Sequence, residues 1–336
     1  MTIGFTTADG ERAVRHWGYR LQGGSKKGKS RKLSLSDLIS APHDLIVMDF
    51  SKDGSGKGAF SEAEINQLKS RPDTHSVIVS YISIGEASDY RDHWQDGWTT
   101  YQDADQRAAG TPTDKAPAWL GAWNENWPNS RKVRYWDPDW QKIIFNKQRT
   151  GWLDRIVEAG FDGAYLDIVD AYYHWGCELD RSLCRAGDPK NEHEAAGRMI
   201  DFVAALAAHA RETNPEFLII PQNGAYIIDA LEDEDHPRRD KYLATINAIA
   251  CEDLFFKGDK PENNAFAPDN EAIDTLVATF LDSGTPVLSV DYLGDRKKVA
   301  KFYEAAVDAK FLPYAAPSRD LNIMGPPYDG EATAIA

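Results

Sequence analysis

Short apolar runs recur along the chain, most of them bounded by Gly, Pro or Asp. They fall at residues 17–21, 45–50, 77–84, 161–167, 217–224, 246–256, 286–292 and 311–316. Longer segments with helical spacing lie between most of them, at 61–71, 139–159, 192–212, 270–283 and 296–310. Ser61 and Glu64 have the spacing of a capping box, and Asp137-Pro138 is a helix start. The runs are continuously apolar, the pattern of parallel strands buried on both faces. Eight such runs alternating with helices predict an α/β fold, a (β/α)8 TIM barrel in one domain. No Gly-x-Gly-x-x-Gly follows the first run, which weighs against a dinucleotide-binding sheet. The expected division is a loose lead-in at 1–15, the barrel at 16–322 and a flexible tail at 323–336.

One stretch breaks the rhythm. Residues 87–136, after the third strand, are rich in Gly, Pro, Asp and Trp. Long irregular loops in compact domains are usually functional. Trp94, Trp98, Trp119, Trp123, Trp127, Trp136 and Trp140 lie in or beside it, and they are expected to form a platform for flat apolar faces such as sugar rings. A basic stretch with Lys26, Lys27, Lys29, Arg31 and Lys32 reads as a solvated loop, because no Gly-rich turn with Lys-Ser/Thr leads into a helix there.

In a barrel the chemistry sits at the C-terminal ends of the strands. Here those ends carry Asp49, Glu86, Asp167, Asn223, Glu252 and Asp291. Alternate strand residues face the axis, so Gly163, Tyr165 and Asp167 point inward together, whereas Asp170 has the other parity and lies past the strand. Ala248, Ala250 and Glu252 put two small residues and an acid on one face, and Asp291 shares its face with Val287 and Ser289. A ring of acids without matching His or Cys is neither a nucleophile triad nor a zinc site. Neither a metal nor a cofactor is expected. Acids among aromatics and amides are what glycoside hydrolysis needs, one carboxyl to protonate the leaving oxygen and a second to attack or stabilise the anomeric centre. Crowded like charges would keep one of them protonated near neutral pH. Two other readings remain open from the residues: a barrel that binds polysaccharide without cleaving it, and a Mg²⁺-dependent lyase or aldolase.

Charge narrows the partners. Asp and Glu number 53 against 38 Lys and Arg, a formal charge of −15. Such a surface repels nucleic acid and anionic membrane and favours cationic or neutral partners. No apolar run reaches the length of a transmembrane helix. Met1 to Gly10 is polar, without the apolar core of a signal peptide, so a cytoplasmic chain or one with its leader removed is expected. Three cysteines make no disulfide framework; Cys177 and Cys184 are close enough in sequence to close a small loop, and Cys251 reads as a buried thiol.

Several motifs together carry a resemblance. Tyr81-Ile82-Ser83-Ile84-Gly85-Glu86-Ala87, Tyr135-Trp136-Asp137-Pro138, Gly160-Phe161-Asp162-Gly163-Ala164-Tyr165-Leu166-Asp167, Pro221-Gln222-Asn223-Gly224 and Glu252-Asp253 resemble glycoside hydrolase family 114, the endo-α-1,4-polygalactosaminidases and their relatives. The likeness runs from Trp17 to about Leu321. It implies a (β/α)8 barrel that cleaves α-1,4-linked galactosamine-containing polysaccharide within the chain, with Asp167 and Glu252 as the catalytic pair. By analogy with retaining α-glycosidases on similar barrels, Asp167 would be the nucleophile and Glu252 the acid and then the base. Asp49, Tyr81, Glu86, Trp136, Tyr165, Asn223, Asp291 and Tyr292 would line the subsites. The resemblance also implies an extracellular or periplasmic enzyme; a role in biofilm or cell-wall polymer turnover and a monomeric state are further expectations. A partly deacetylated galactosamine polymer is a polycation, which suits a chain of charge −15 and cation–π contact with Trp.

Overall fold

The computed structural model describes residues 1–26, 29–71 and 74–328. Each of the eight apolar runs is a strand: β1 (Trp17–Arg20), β2 (Leu45–Asp49), β3 (Val77–Ser83), β4 (Gly163–Asp167), β5 (Leu218–Pro221), β6 (Ile249–Glu252), β7 (Val287–Tyr292) and β8 (Leu312–Ala316). They form two parallel sheets, ordered β5-β4-β3-β2-β1 and β6-β7-β8. Between β5 and β6 there is a bridge at Gln222 and Ala250, supported by Asn223 N–H donating to Ala250 O (2.7 Å) and Asn247 N–H to Ile219 O (2.8 Å). At the other junction the Trp17 indole N–H donates to the Leu312 carbonyl at 2.9 Å, tying β1 to β8.

The strands read as unbroken apolar runs because both faces are covered. One cluster takes alternate residues from all eight, among them Tyr19, Val47, Val79, Tyr165, Ile220, Ala250, Val290 and Tyr314. The opposite faces, with Ile46, Ile78, Leu166, Ile219, Ile249 and Val287, pack under the helices.

Beside a single helical turn at Ala171–Tyr173, the α-helices are α1 (Leu35–Ile39), α2 (Glu62–Lys69), α3 (Pro138–Ile144), α4 (Trp152–Glu158), α5 (Glu192–Arg211), α6 (His236–Thr245), α7 (Asn270–Thr275) and α8 (Arg296–Asp308). The capping box forms as expected: Ser61 Oγ accepts from Glu64 N–H, and Glu64 Oε2 accepts from Ser61 N–H at 2.9 Å. The single helix expected at 139–159 is two. Gly151 starts the second, and a Cβ there would lie 2.6 Å from the Ile144 carbonyl, so the chain turns at a residue only glycine can occupy. The Asp154 carboxylate then accepts from the amides of Gly151 and Asn146 (2.9 and 3.2 Å). Helix α6 has no clear sequence signal: it buries only Tyr242 and Thr245. No helix among the described residues is long and apolar enough to cross a membrane.

The lead-in is more ordered than expected. Ile3–Thr7 and Gly10–Val14 pair as an antiparallel hairpin, and Ile3, Phe5 and Val14 join the inner strand cluster. The alternation of Ile3, Phe5 and Thr7 with exposed residues is the trace it leaves in the sequence. Residues 323–328 of the expected tail are docked too: Gly325 N–H donates to the Tyr314 hydroxyl (3.0 Å), and the Tyr328 ring lies 4.4 Å from that of Tyr303. Lys27 and residues 329–336 lie outside the described residues. In the basic loop, Arg31 pairs with Asp37 (3.1 Å) and Lys32 with Asp53 (2.5 Å). Cys177 and Cys184 are free thiols, and Cys251 is buried as expected.

Most of the expected Trp platform is a core instead. Trp94, Trp98, Trp119 and Trp140 are buried and follow one another at ring-centroid distances of 5.3, 5.2 and 4.9 Å. Fifty residues with little helix need their own apolar centre, and large rings meeting edge to face or tilted supply it. Only Trp123 and Trp127, near the tip of the hairpin Leu120–Trp123/Ser130–Val133, are exposed, at 36% and 53%.

Candidate active site

The C-terminal ends of the strands open into a cleft of about 1290 Å³. Of the residues expected there, Asp49, Tyr81, Glu86, Asp167, Asn223, Glu252 and Tyr292 line it. Three others do not. Tyr165 is inward but one layer down, fully buried, its ring 5.1 Å from that of Tyr19. Trp136 packs its ring 5.0 Å from Trp175 and beneath the Arg198 guanidinium. Its Tyr135-Trp136-Asp137-Pro138 motif is structural: the Tyr135 hydroxyl donates to the Ala195 carbonyl (2.8 Å), Asp137 caps α3 and Pro138 opens it. Asp291 faces the helices, on the side of Val287, because its parity is opposite to that of the inward Leu288 and Val290. It is fully buried and accepts from Phe256 N–H at 2.9 Å. Burial, more than the nearby Asp253 and Glu252, pushes its carboxyl up to about 8.

Asp167 ends β4. The Tyr81 hydroxyl donates to its Oδ2 at 2.6 Å, and the Ile168 amide to its Oδ1 at 2.9 Å. Among the described residues no Lys, Arg or His forms an ion pair with it. Burial drives its carboxyl up to about 7; Glu252 and Asp170 add to that rise, and the Tyr81 and Ile168 hydrogen bonds oppose it. Glu252 ends β6. Its Oε2 accepts from the Tyr292 hydroxyl (2.5 Å) and its Oε1 from Asn223 Nδ2 (3.1 Å). The two acids are thus mounted alike, each on a strand end and each held by a tyrosine from another strand.

The backbone around them is strained in a consistent way. Ile168, Asn223 and Asp253, the residues just past or beside these strand ends, have φ of 60°, 64° and 56°. A left-handed β-branched residue such as Ile168 is a real outlier, and such strain gathers at functional sites. Gly85 permits it: a Cβ there would meet the Ile168 carbonyl at 2.3 Å. Asn223 tolerates the conformation and spans to Glu252 with both ends of its amide, also accepting the Glu252 N–H at 3.3 Å.

The other rim acids are tempered by neighbours. Asp49 is clasped by Arg91, with Nη1 3.0 Å from Oδ1 and Nη2 2.5 Å from Oδ2. Glu86 accepts from Asn124 Nδ2 (2.8 Å) and lies 3.9 Å from Lys132 Nζ. Asp170, set aside on parity, does line the cleft. Its position depends on the turn made by Ile168, which strand alternation cannot convey. The surrounding walls, with Glu252 adding to them and Lys132 opposing, push its carboxyl up to about 6. Of the tryptophans expected to form a platform, Trp127 does line the cleft, exposed. Sequence reasoning missed Arg91, Arg319 and the exposed aromatics Tyr90, Tyr173 and Tyr226 that line it too. Among the described residues no three His, Cys, Asp or Glu side chains converge to hold a metal ion.

A profile of glycoside-hydrolase family GH114 matches residues 14–331. The chain belongs to this family. Relatives include an uncharacterized protein of Methanocaldococcus jannaschii, 34% identical over 315 residues (91% of this chain, 77% of that one). Another, from Deinococcus radiodurans, is 30% identical over 318 residues (94% and 84%). Among solved structures, a variant of the glycoside hydrolase domain of PelA from Pseudomonas aeruginosa aligns over 95% of this chain and 98% of that one, with a TM-score of 0.57 at 17% identity. The trehalose-6-phosphate hydrolase of Bacillus licheniformis aligns over 93% and 65%, with a TM-score of 0.50 at 13% identity. At these identities the likeness is one of fold. The chain is a GH114 glycoside hydrolase on an α/β scaffold of parallel strands.

Proposed function

We propose that the chain is an endo-acting, retaining glycosidase that cleaves α-1,4-galactosaminidic linkages, on a closed (β/α)8 barrel. The observation that carries this reading is the matched pair of strand-end acids, each held by a tyrosine hydroxyl in one cleft. In the first step Glu252 gives its proton to the glycosidic oxygen while an Asp167 oxygen attacks the anomeric carbon, forming a glycosyl ester and releasing the leaving sugar as an alcohol. In the second, Glu252 takes a proton from water as that water displaces Asp167. Tyr81 and the Ile168 amide hold the Asp167 carboxylate that must attack. The high position of Asp167, about 7, favours a second assignment with Asp167 as acid and Glu252 as nucleophile, and pH dependence separates the two.

Support for a polymer comes from the exposed aromatics. Tyr90, Trp127, Tyr173 and Tyr226 come from four separate segments of the cleft wall, enough to stack several sugar rings. Support for a cationic polymer comes from Asp167, Asp170 and Glu252, acids that gather in the cleft of a chain of charge −15. We infer from that substrate a role in biofilm or cell-wall polymer turnover outside the cytoplasm, with the enzyme acting as a monomer. The test is release of reducing ends from partly deacetylated α-1,4-galactosamine polymer, with the product lengths resolved. A ladder of oligosaccharides supports endo cleavage. Binding without release makes the chain a sugar-binding barrel, and neither binding nor release removes the substrate assignment.

A further inference from the structure

Arg319 lies beyond β8, in a segment with no regular structure, yet its side chain lines the cleft. Its backbone N–H donates to Glu262 Oε1 at 3.0 Å, and its Nε donates to the Pro261 carbonyl at 2.9 Å. Its Nη2 meets both oxygens of Asp253, at 2.7 and 2.8 Å. The guanidinium carbon lies over the Tyr292 ring, 3.9 Å from the centroid. Nη1 stands 3.9 Å from Glu252 Oε2, the oxygen that accepts the Tyr292 hydroxyl. One side chain therefore touches the ring that orients Glu252 and neutralises the acid next to it in sequence. Two adjacent carboxylates at a strand end would otherwise repel each other.

We propose that Arg319 is a positioning residue: it clamps Tyr292 and Asp253 so that Glu252 keeps its orientation in the cleft and is shielded from the charge beside it. A planar guanidinium suits the task, since it can stack on a ring and pair with a carboxylate together, which an ammonium cannot. The catalytic consequence rests on the glycosidase reading above, whereas the link between Arg319 and Glu252 does not.

The experiment follows the Glu252 carboxyl by carbon-13 NMR titration, assigned by its loss in Glu252→Gln, in the parent, Arg319→Met, Arg319→Lys and Asp253→Asn. Turnover of the galactosamine polymer is measured beside it. Removing a nearby cation moves a carboxyl upward, so Glu252 in Arg319→Met titrates about one unit higher. Its kcat falls about tenfold or more with KM within about threefold, the split for loss of aim rather than of binding. Arg319→Lys keeps the titration near that of the parent but recovers only part of kcat. Asp253→Asn moves Glu252 in the opposite direction, downward, and asparagine accepts the left-handed backbone there. An unmoved Glu252 titration in both Arg319→Met and Asp253→Asn, or an unchanged kcat in Arg319→Met, overturns the proposal. If Arg319→Met does not fold, the direction of the Asp253→Asn shift decides. If the parent cleaves no polymer, the glycosidase reading falls and the titrations still judge the clamp.

Discussion

The two ends of β4 carry the same side chain into opposite surroundings. Asp162, just before the strand, is buried and paired with Lys69 at 2.7 Å, and its Oδ2 accepts the Ile78 amide at 2.8 Å. Lys69 reaches on to Asp9 of the N-terminal hairpin at 3.3 Å, so at this end one cation bridges two carboxylates. Asp167, at the other end, has a tyrosine hydroxyl and one amide for company, two further acids nearby and a strained residue behind it. Burial pushes both carboxyls upward, but only Asp162 has a cation opposing it. A buried acid with its counter-ion is held for stability. A buried acid among other acids is kept at a cost, and the cost marks function.

Removing each acid should have opposite effects at the two ends. Asp167→Asn and Glu252→Gln should each lower polymer cleavage by about a thousandfold while leaving the melting temperature within a few degrees; a loss under tenfold would show that the pair is not the machinery. Asp162→Asn should do the reverse. It leaves Lys69 without its buried partner and should cost about 2–3 kcal/mol in urea denaturation, with cleavage per folded molecule unchanged.

The raised Asp167 carboxyl also makes stability and activity depend on pH. Asp167 titrates higher folded (about 7) than its usual 3.8, so folding takes up a proton between those values, and this group's contribution to stability falls as pH rises through that window. If Asp167 attacks as a carboxylate, kcat/KM should rise about tenfold per pH unit below 7 and level off above it. A fall above pH 7 governed by Asp167 would instead make it the acid. The smallest effect belongs to the rim. Trp127→Ala removes an exposed ring at the end of the Leu120–Trp123/Ser130–Val133 hairpin and should raise KM for the polymer about tenfold while sparing a short substrate; equal effects on both would remove Trp127 from the polymer's path.

All eight strands were legible in the chain because a strand buried on both faces needs an uninterrupted apolar run. Parity correctly turned Tyr165, Asp167 and Glu252 inward. The same rule, applied to Asp291, should have turned it away from the cleft, since Val287 and Ser289 share its face and Leu288 and Val290 fill the inner cluster. What parity cannot see is the chain beyond the last strand residue. Asp170 enters the cleft through the turn at Ile168, and Arg319 crosses 66 positions to reach Asp253. Tryptophan count misled for a different reason: Trp94, Trp98, Trp119 and Trp140 fill the interior of a long insertion, and composition does not say which way a ring faces.

The account turns on Asp167 as the carboxylate that bonds to sugar. The direct measurement is mass spectrometry of peptic peptides after the enzyme is incubated with a 5-fluoro α-galactosaminyl fluoride, which slows release of a glycosyl ester. One sugar residue added to the peptide bearing Asp167, absent in Asp167→Asn, is the result expected. The adduct on Glu252, or no adduct from an enzyme that cleaves the polymer, would contradict it.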